Sequence, residues 1–299
     1  MIVIRLSGGL GNQLFQYAFG KNLSIKNRAL LKFETSDYQN DFRKYALDKF
    51  NIPESASRIS TDADLSLIGI PQVFDKSLYG KIRRKLFRSV ESLRPIYQRR
   101  FIIEPYFHFC ADVLKITGNC YLSGVWQSEK YFKENGDIIK RELSLKKLPT
   151  ISTQNWTKQI SECNSVSLHI RRGDYVHDQK TNKLHGTCGI EYYKEAMNLI
   201  SQKIKDPVFF IFSDDPQWAR ENLKSSYPLF IVSNGEIPDY EELTIMSKCK
   251  HNIIANSSFS WWGAWLNENK NKLVIAPQKW FNAKNINTDD LLPTSWIRI

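Results

Sequence analysis

Residues 166–176 read Val-Ser-Leu-His-Ile-Arg-Arg-Gly-Asp-Tyr-Val, and the change of character halfway along decides the fold. Val166, Leu168 and Ile170 alternate with Ser167, His169 and Arg171, which is the period of a β-strand. Arg171-Arg172-Gly173-Asp174-Tyr175 cannot continue a buried strand and must turn. On a strand, His169 and Arg171 point to the same side. Ligands of open α/β sheets collect at the carboxyl ends of the strands. A guanidinium there can grip a phosphate through two parallel hydrogen bonds. A surface ion pair between Arg172 and Asp174 would explain the same residues without any ligand, so the surrounding chain has to decide.

Downstream, strand and helix patterns alternate. Strands are expected at 166–171, 208–212, 229–233, 252–255 and 273–276, with helices at 191–204, 216–224, 239–248 and 260–267. Repeated β-then-α is the signature of a parallel, doubly wound sheet. Right-handed crossovers then bring the strand ends to one rim. Three of those ends are polar: His169-Ile170-Arg171-Arg172-Gly173-Asp174, Ser213-Asp214-Asp215, and Asn256-Ser257-Ser258-Phe259-Ser260. Asp214 or Asp215 could cap the helix that opens at Pro216, and Ser257 or Ser258 the helix carrying Trp261 and Trp262. Trp261, Trp262 and Trp265, at helical spacing, read as core. Together the three ends offer arginines, carboxylates and a helix N-terminus, a set suited to a nucleoside diphosphate.

The first half is less periodic. Ile2–Leu6 is an apolar strand, followed by Ser7-Gly8-Gly9-Leu10-Gly11-Asn12 and a helix with Leu14, Phe15, Ala18, Phe19 and Leu23 on one face. The glycine spacing is neither the dinucleotide fingerprint nor a P-loop. Asp62-Ala63-Asp64 has the DxD spacing of some metal–diphosphate sites, but reads more simply as an exposed polar loop. Residues 121–126 form a strand, and 127–143 a helix. Residues 81–100 carry eight Lys or Arg and one acid, Glu91, with an apolar stripe of Ile82, Leu86, Val90 and Leu93. Such a basic amphipathic helix suits an anionic membrane, an acidic partner or plain solvent. The polar stretch 144–164 separates an N-terminal domain, 1–150, from a C-terminal one, 165–299, whose final segment is free to pack back on the first.

The chain has 299 residues, 42% of them hydrophobic and 24% charged, with a net charge of +11. That balance is globular and favours an anionic partner. Nucleic acid is disfavoured, because aromatics are not interleaved at regular spacing in the basic run. Five scattered cysteines without a CxxC argue against zinc and for reduced thiols. No signal peptide and no run of 18 apolar residues is expected.

The motifs HIRRGDYV, SDDP and NSSFSWWGAWLN, with the opening GGLGNQLFQYAFG, resemble the α-1,2-fucosyltransferases of glycosyltransferase family eleven, in the family's order and across residues 8–267. The resemblance implies a GT-B-like fold, two Rossmann-like domains facing a cleft, the C-terminal one holding the donor. It implies inverting transfer of L-fucose from GDP-β-L-fucose to the 2-hydroxyl of a terminal galactose, with no obligatory metal or other cofactor. Arg171 would hold the β-phosphate, with Arg172 beside it and His169 near the diphosphate or nucleoside. Asp214 and Asp215 would lie near the nucleotide, Ser257, Ser258 and Phe259 on the phosphate side, and Glu242 against guanosine. Gly11 and Asn12 would face the sugar. Asp174 is the nearest candidate for the base that deprotonates the acceptor, and could equally orient Arg171 or Arg172. The acceptor would be a galactose-ended oligosaccharide or a lipid-linked glycan. With no membrane anchor, a bacterial cytoplasmic enzyme is expected, able to dock at the inner leaflet through residues 81–100.

Overall fold

A computed structural model describes residues 1–39, 43–56, 58–71 and 77–299. The chain divides into two compact units, Met1–Lys146 with Asp289–Leu291, and Lys147–Thr288 with Leu292–Ile299.

Unit 1 is built on a sheet of order β3-β2-β1-β5-β4, with β1 Ile2–Arg5, β2 Leu31–Glu34, β3 Arg58–Ile59, β4 Phe101–Ile103 and β5 Cys120–Ser123. All pairings are parallel, with Ile2 opposite both Leu31 and Cys120. Its helices are α1 Leu10–Asn27, α2 Asp62–Ile68, α3 Leu78–Ser92 and α4 Gly136–Glu142. The apolar face of α1 packs on the sheet, and Phe15, Phe19, Trp126, Tyr131 and Phe132 form an aromatic core around it.

Two local expectations change here. The helix expected over 127–143 is instead two 3₁₀ turns followed by the short α4. Neighbouring Tyr131 and Phe132 are both fully buried, and Phe132 adopts φ −146°, ψ 1° to place its ring. That backbone geometry lies outside the α-helical region, so no continuous helix passes through Phe132. Asp62-Ala63-Asp64 is not a loop but the first turn of α2. Thr61 and Asp64 form a reciprocal capping box there, and Asp64 also pairs with Lys32 at 2.6 Å. Among the described residues no acidic, histidine or cysteine cluster could hold a metal ion.

Unit 2 carries a sheet of order β11-β10-β9-β6-β7-β8, again wholly parallel. Its strands are β6 Asn164–Ile170, β7 Pro207–Ser213, β8 Leu229–Ile231, β9 His251–Ile253, β10 Val274–Ala276 and β11 Ile297–Arg298. Its helices are α5 Ile151–Ser161, α6 Gly173–His177, α7 Gln179–His185, α8 Ile190–Lys203, α9 Pro216–Asn222, α10 Asp239–Lys248 and α11 Ser258–Leu266. Val166, Leu168 and Ile170 point into a core shared with α8 and with Phe209 and Ile211. The alternating residues Ser165, Ser167 and His169 are buried too, as expected of a parallel strand covered on both faces. Their polarity is absorbed locally. Ser165 Oγ accepts the Lys250 N–H, and Ser167 Oγ accepts from Asn252 Nδ2. Glu241 is buried and fastens α5, accepting from the Thr150 and Thr153 hydroxyls and the Thr150 N–H. Trp261 and Trp262 are fully buried and Trp265 nearly so, as core residues of α11.

Candidate active site

The register of unit 2 explains how three distant segments meet. β6 lies between β7 and β9, and Ile170 is the partner of Ser213. The chain therefore leaves the sheet at Arg171, at Asp214 and just before Asn256 along one rim of adjacent parallel strands.

Arg171 lies one residue past the end of β6. Its Nη2 donates to Asp174 Oδ1 at 2.6 Å and its Nη1 reaches Asp214 Oδ2 at 2.9 Å. Its guanidinium also lies over the Tyr175 ring, 5.3 Å from the centroid. Two carboxylates from different segments thus fix one cation, whose side chain is still about one third exposed. A guanidinium has five N–H donors in a rigid fork, so this bracing leaves donors for an anion. Of the two roles open to Asp174 in the sequence, the contact with Arg171 describes the orienting one.

Arg172 points elsewhere. Its backbone N–H donates to Asp214 Oδ1 at 2.8 Å, its Nε to Asp215 Oδ2 at 3.0 Å, and its guanidinium stacks 4.3 Å over Trp218. Asp215 caps α9 through the Trp218 N–H. Burial alone would push the Asp215 carboxyl up, but the Trp218 N–H and Arg172 outweigh it and hold the group below its ordinary value. Asp214 therefore serves the two arginines, while Asp215 serves the helix and Arg172.

His169 is buried at the end of β6, with its ring 5.5 Å from that of Phe259 in the first turn of α11. Burial, reinforced by the nearby Arg171 charge, drives its pKa down to about 3, so the imidazole is neutral at physiological pH. Its Nδ1 has no hydrogen-bond partner among the described residues. Ser257 occupies the N-cap of α11 without a side-chain cap bond. The first-turn N–H groups of this helix are therefore not satisfied by their own cap residue, and a helix N-terminus of this kind attracts anions.

Glu242, on the first turn of α10, is connected to the same rim. Its carboxyl interacts with Ser233, whose Oγ accepts the Ser213 N–H at the end of β7. Burial raises the Glu242 pKa to about 7 despite the Ser233 hydrogen bond, helped by the charge of Asp239.

Several contributors escaped the sequence reading. A Cβ at Gly173 would lie 2.6 Å from Asp214 Oδ2, so a side chain there would displace that carboxylate from its present position. Asn256 Nδ2 donates to the carbonyls of His185, Gly186 and Trp280 and so ties the α11 loop to the segment after α7. Trp218, three residues after the capping Asp215, was the one such residue with a readable spacing.

Gly11 and Asn12 lie in unit 1, in the first turn of α1. Asn12 Oδ1 accepts from Gln127 Nε2 at 2.8 Å. Gln16 is fully buried. It accepts the Ser7 N–H and donates to Ser7 Oγ and to the Gly124 carbonyl. Gln13 likewise donates to the Gly8 and Lys44 carbonyls and accepts the Ala46 N–H. Gly8, at φ 76°, makes the turn that these amides hold.

Two α/β units, each on a single parallel sheet, and a rim combining a braced arginine with the N-terminus of α11 fit a glycosyltransferase of GT-B-like fold. The solved fucosyltransferase NodZ from Bradyrhizobium shares that fold, with a TM-score of 0.51 at 14% identity, covering 88% of this chain and 92% of that one. The sequence profile of Glycosyl transferase family 11 matches residues 1–299, and the chain belongs to this family. Among its relatives is an alpha-1,2-colitosyltransferase of Escherichia coli, 33% identical over 306 residues, covering 100% of this chain and 99% of that protein. Another is a galactoside alpha-(1,2)-fucosyltransferase 1 of Rattus norvegicus, 31% identical over 191 residues, covering 60% of this chain and 49% of that protein.

Proposed function

We propose that this glycosyltransferase transfers L-fucose from GDP-β-L-fucose, with inversion, to the 2-hydroxyl of a terminal galactose. The observation that carries this reading is the Arg171 guanidinium, held by Asp174 and Asp214 on the same rim as His169, Phe259 and the N-terminus of α11. As the fucosyl bond breaks, the transition state gains oxocarbenium character and the diphosphate gathers charge. A cation already oriented gains interaction energy as that charge grows, which is the condition for lowering the barrier rather than merely tightening binding. The N-terminus of α11 adds dipole and N–H donors, and neutral His169 can offer one ring hydrogen bond without adding charge. Glu242 suits the paired N–H donors of guanine. Asp174 then acts through Arg171 as a positioning group, and the acceptor proton passes to a leaving-group oxygen.

The linkage in this reading is supported by the two relatives, whose names share α-1,2 transfer. They differ in the sugar, and that favours one second reading. Colitose is L-fucose without its 3-hydroxyl, so a GDP-colitose donor would engage the same diphosphate rim. A pocket that hydrogen-bonds O3 would reject the deoxy sugar strongly, whereas an apolar lining there would prefer it.

The deciding experiment incubates the protein with GDP-fucose or GDP-colitose and galactose-ended oligosaccharides, with and without EDTA, followed by linkage analysis. The expected product is an α-1,2-fucosylated galactose, formed equally in EDTA. Transfer from GDP-colitose alone would move the assignment to the second reading. GDP binding without release of GDP from either donor would leave a non-catalytic nucleotide-sugar-binding protein.

A further inference from the structure

Helix α3 is the one basic amphipathic segment of the sequence, and its two sides contrast. Ser77 caps its start by accepting the Gly80 N–H, and the turn before Pro95 ends it. At 100° per residue, Gly80, Arg84, Phe87 and Glu91 fall on one side, and these are its buried or half-buried positions. Phe87 packs edge-on against Phe101 of β4, with Arg100 over its ring. Glu91 is buried and accepts the Arg100 N–H, with Arg94 and Arg100 as ion-pair partners. The opposite sector, roughly 120° wide on a helical projection, holds Leu78, Tyr79, Ile82, Leu86, Val90 and Leu93. Every one of them is exposed, Leu86 by 62% and Leu93 by 87%. Lys81, Lys85 and Arg88 border this sector on one side and Arg83 and Arg94 on the other. The helix thus turns its apolar stripe outward and its single acid inward.

We propose that α3 is an in-plane docking helix for an anionic phospholipid surface. An exposed apolar stripe between two basic borders matches a bilayer interface, where leucine-sized side chains enter the acyl boundary and the cations meet phosphate headgroups. A protein partner could cover the apolar stripe, but the cationic border on both sides, with the only acid withdrawn, is complementary to a continuous negative surface. No helix among the described residues is long and apolar enough to cross a membrane, so docking of this kind would be peripheral and reversible. It does not depend on the sugar or linkage proposed above.

The test is co-sedimentation of the full chain with vesicles of phosphatidylcholine alone or mixed with phosphatidylglycerol, at low and raised salt. Binding is expected only to the anionic vesicles and should weaken with salt. Ile82→Ser/Leu86→Ser should lower vesicle affinity about tenfold or more, since each buried apolar side chain is a large contributor. Lys81→Glu should lower it by at least about fivefold, the contribution of one basic residue near such a surface. Both variants should keep the wild-type circular dichroism and turnover on a soluble acceptor. Equal binding to neutral vesicles, no binding to anionic ones, or an unaffected double variant would overturn the proposal. So would a concentration-dependent dimer in sedimentation velocity that the double variant abolishes, because a second copy would then cover the stripe.

Discussion

Two loops occupy corresponding places in their sheets, and they are held in opposite ways. Ser7–Asn12 follows β1, flanked by β2 and β5; Arg171–Asp174 follows β6, flanked by β7 and β9. The first is fixed by neutral amides: Gln13, Gln16 and Gln127, with backbone carbonyls as their partners or neighbours. The second is fixed by ion pairs, Arg171 to Asp174 and Asp214 and Arg172 to Asp215. Under the proposed function, the contrast matches what each loop would meet. A polyanion requires cations whose direction is set beforehand, and carboxylates set it. A hydroxyl-rich sugar requires neither, and amides hold a turn without imposing a field.

Substitutions at five residues sharpen or break that contrast. The largest effect is expected from Arg171→Lys, which keeps the charge and removes the fork. Turnover should fall by about 10²–10³, the usual result of losing one preorganised donor, while circular dichroism stays unchanged. Near-normal kcat would end the assignment of Arg171. Next, Asp214→Asn keeps an acceptor for the Arg172 N–H but weakens the hold on Arg171. A loss of roughly 1.5–3 kcal/mol in kcat/KM is expected, the range for hydrogen bonds to charged groups. Asp215→Ala should instead lower Tm more than rate, because it removes the side-chain acceptor that caps α9, a loss of about 0.5–2 kcal/mol.

On the amide side, Gln16→Leu leaves the Ser7 N–H and the Gly124 carbonyl unpaired. Thermal denaturation should report a loss of about 1–3 kcal/mol, with the affinity for GDP unchanged. If GDP affinity fell with it, the division of labour between the loops would be wrong.

The smallest signal is a fractional proton. If Glu242 receives guanine N–H donors, its pKa falls on binding, so GDP should release protons near pH 7. Calorimetry in buffers of different ionisation enthalpy would detect this, and Glu242→Gln should abolish it. In the free protein the sign is fixed by linkage. Burial raises the Glu242 pKa from its ordinary value to about 7, so between those two values the native state binds more protons than the unfolded chain. The stability associated with this group is complete at acid pH and is lost as pH rises through about 7. Glu242→Gln should therefore gain Tm at pH 8 and little at pH 4.

Much of unit 2 was legible because its strands are short apolar runs closed by polar ends, and parallel topology alone carries Arg171, Asp214 and Asn256 to one rim. Which carboxylate serves which arginine was not legible. Asp214 and Asp215 are adjacent in sequence and differ only in the direction their backbone gives them. Gly173 reads as a turn glycine, yet its requirement comes from the nearness of Asp214, a contact across 41 positions that no local pattern encodes. Unit 1 was harder. The strands at 2–6 and 121–126 were expected, whereas β2, β3 and β4, two to four residues long, lie in sequence without a clear period. At Phe132 the backbone leaves the helical region, which a helical pattern of side chains does not reveal. The apolar stripe of α3 was visible as a period, but a period does not say which way it faces.

The tryptophans of α11 have a practical consequence. The rings of Trp261, Trp262 and Trp265 lie within 6.2 Å of one another on the nine-residue helix whose first turn carries Ser258 and Phe259, and Trp296 lies 5.5 Å from Trp261. A ligand seated at that end would lie about one helix turn from this indole cluster and should change its emission. Donor occupancy can thus be followed by intrinsic emission, without labels and before any acceptor has been identified.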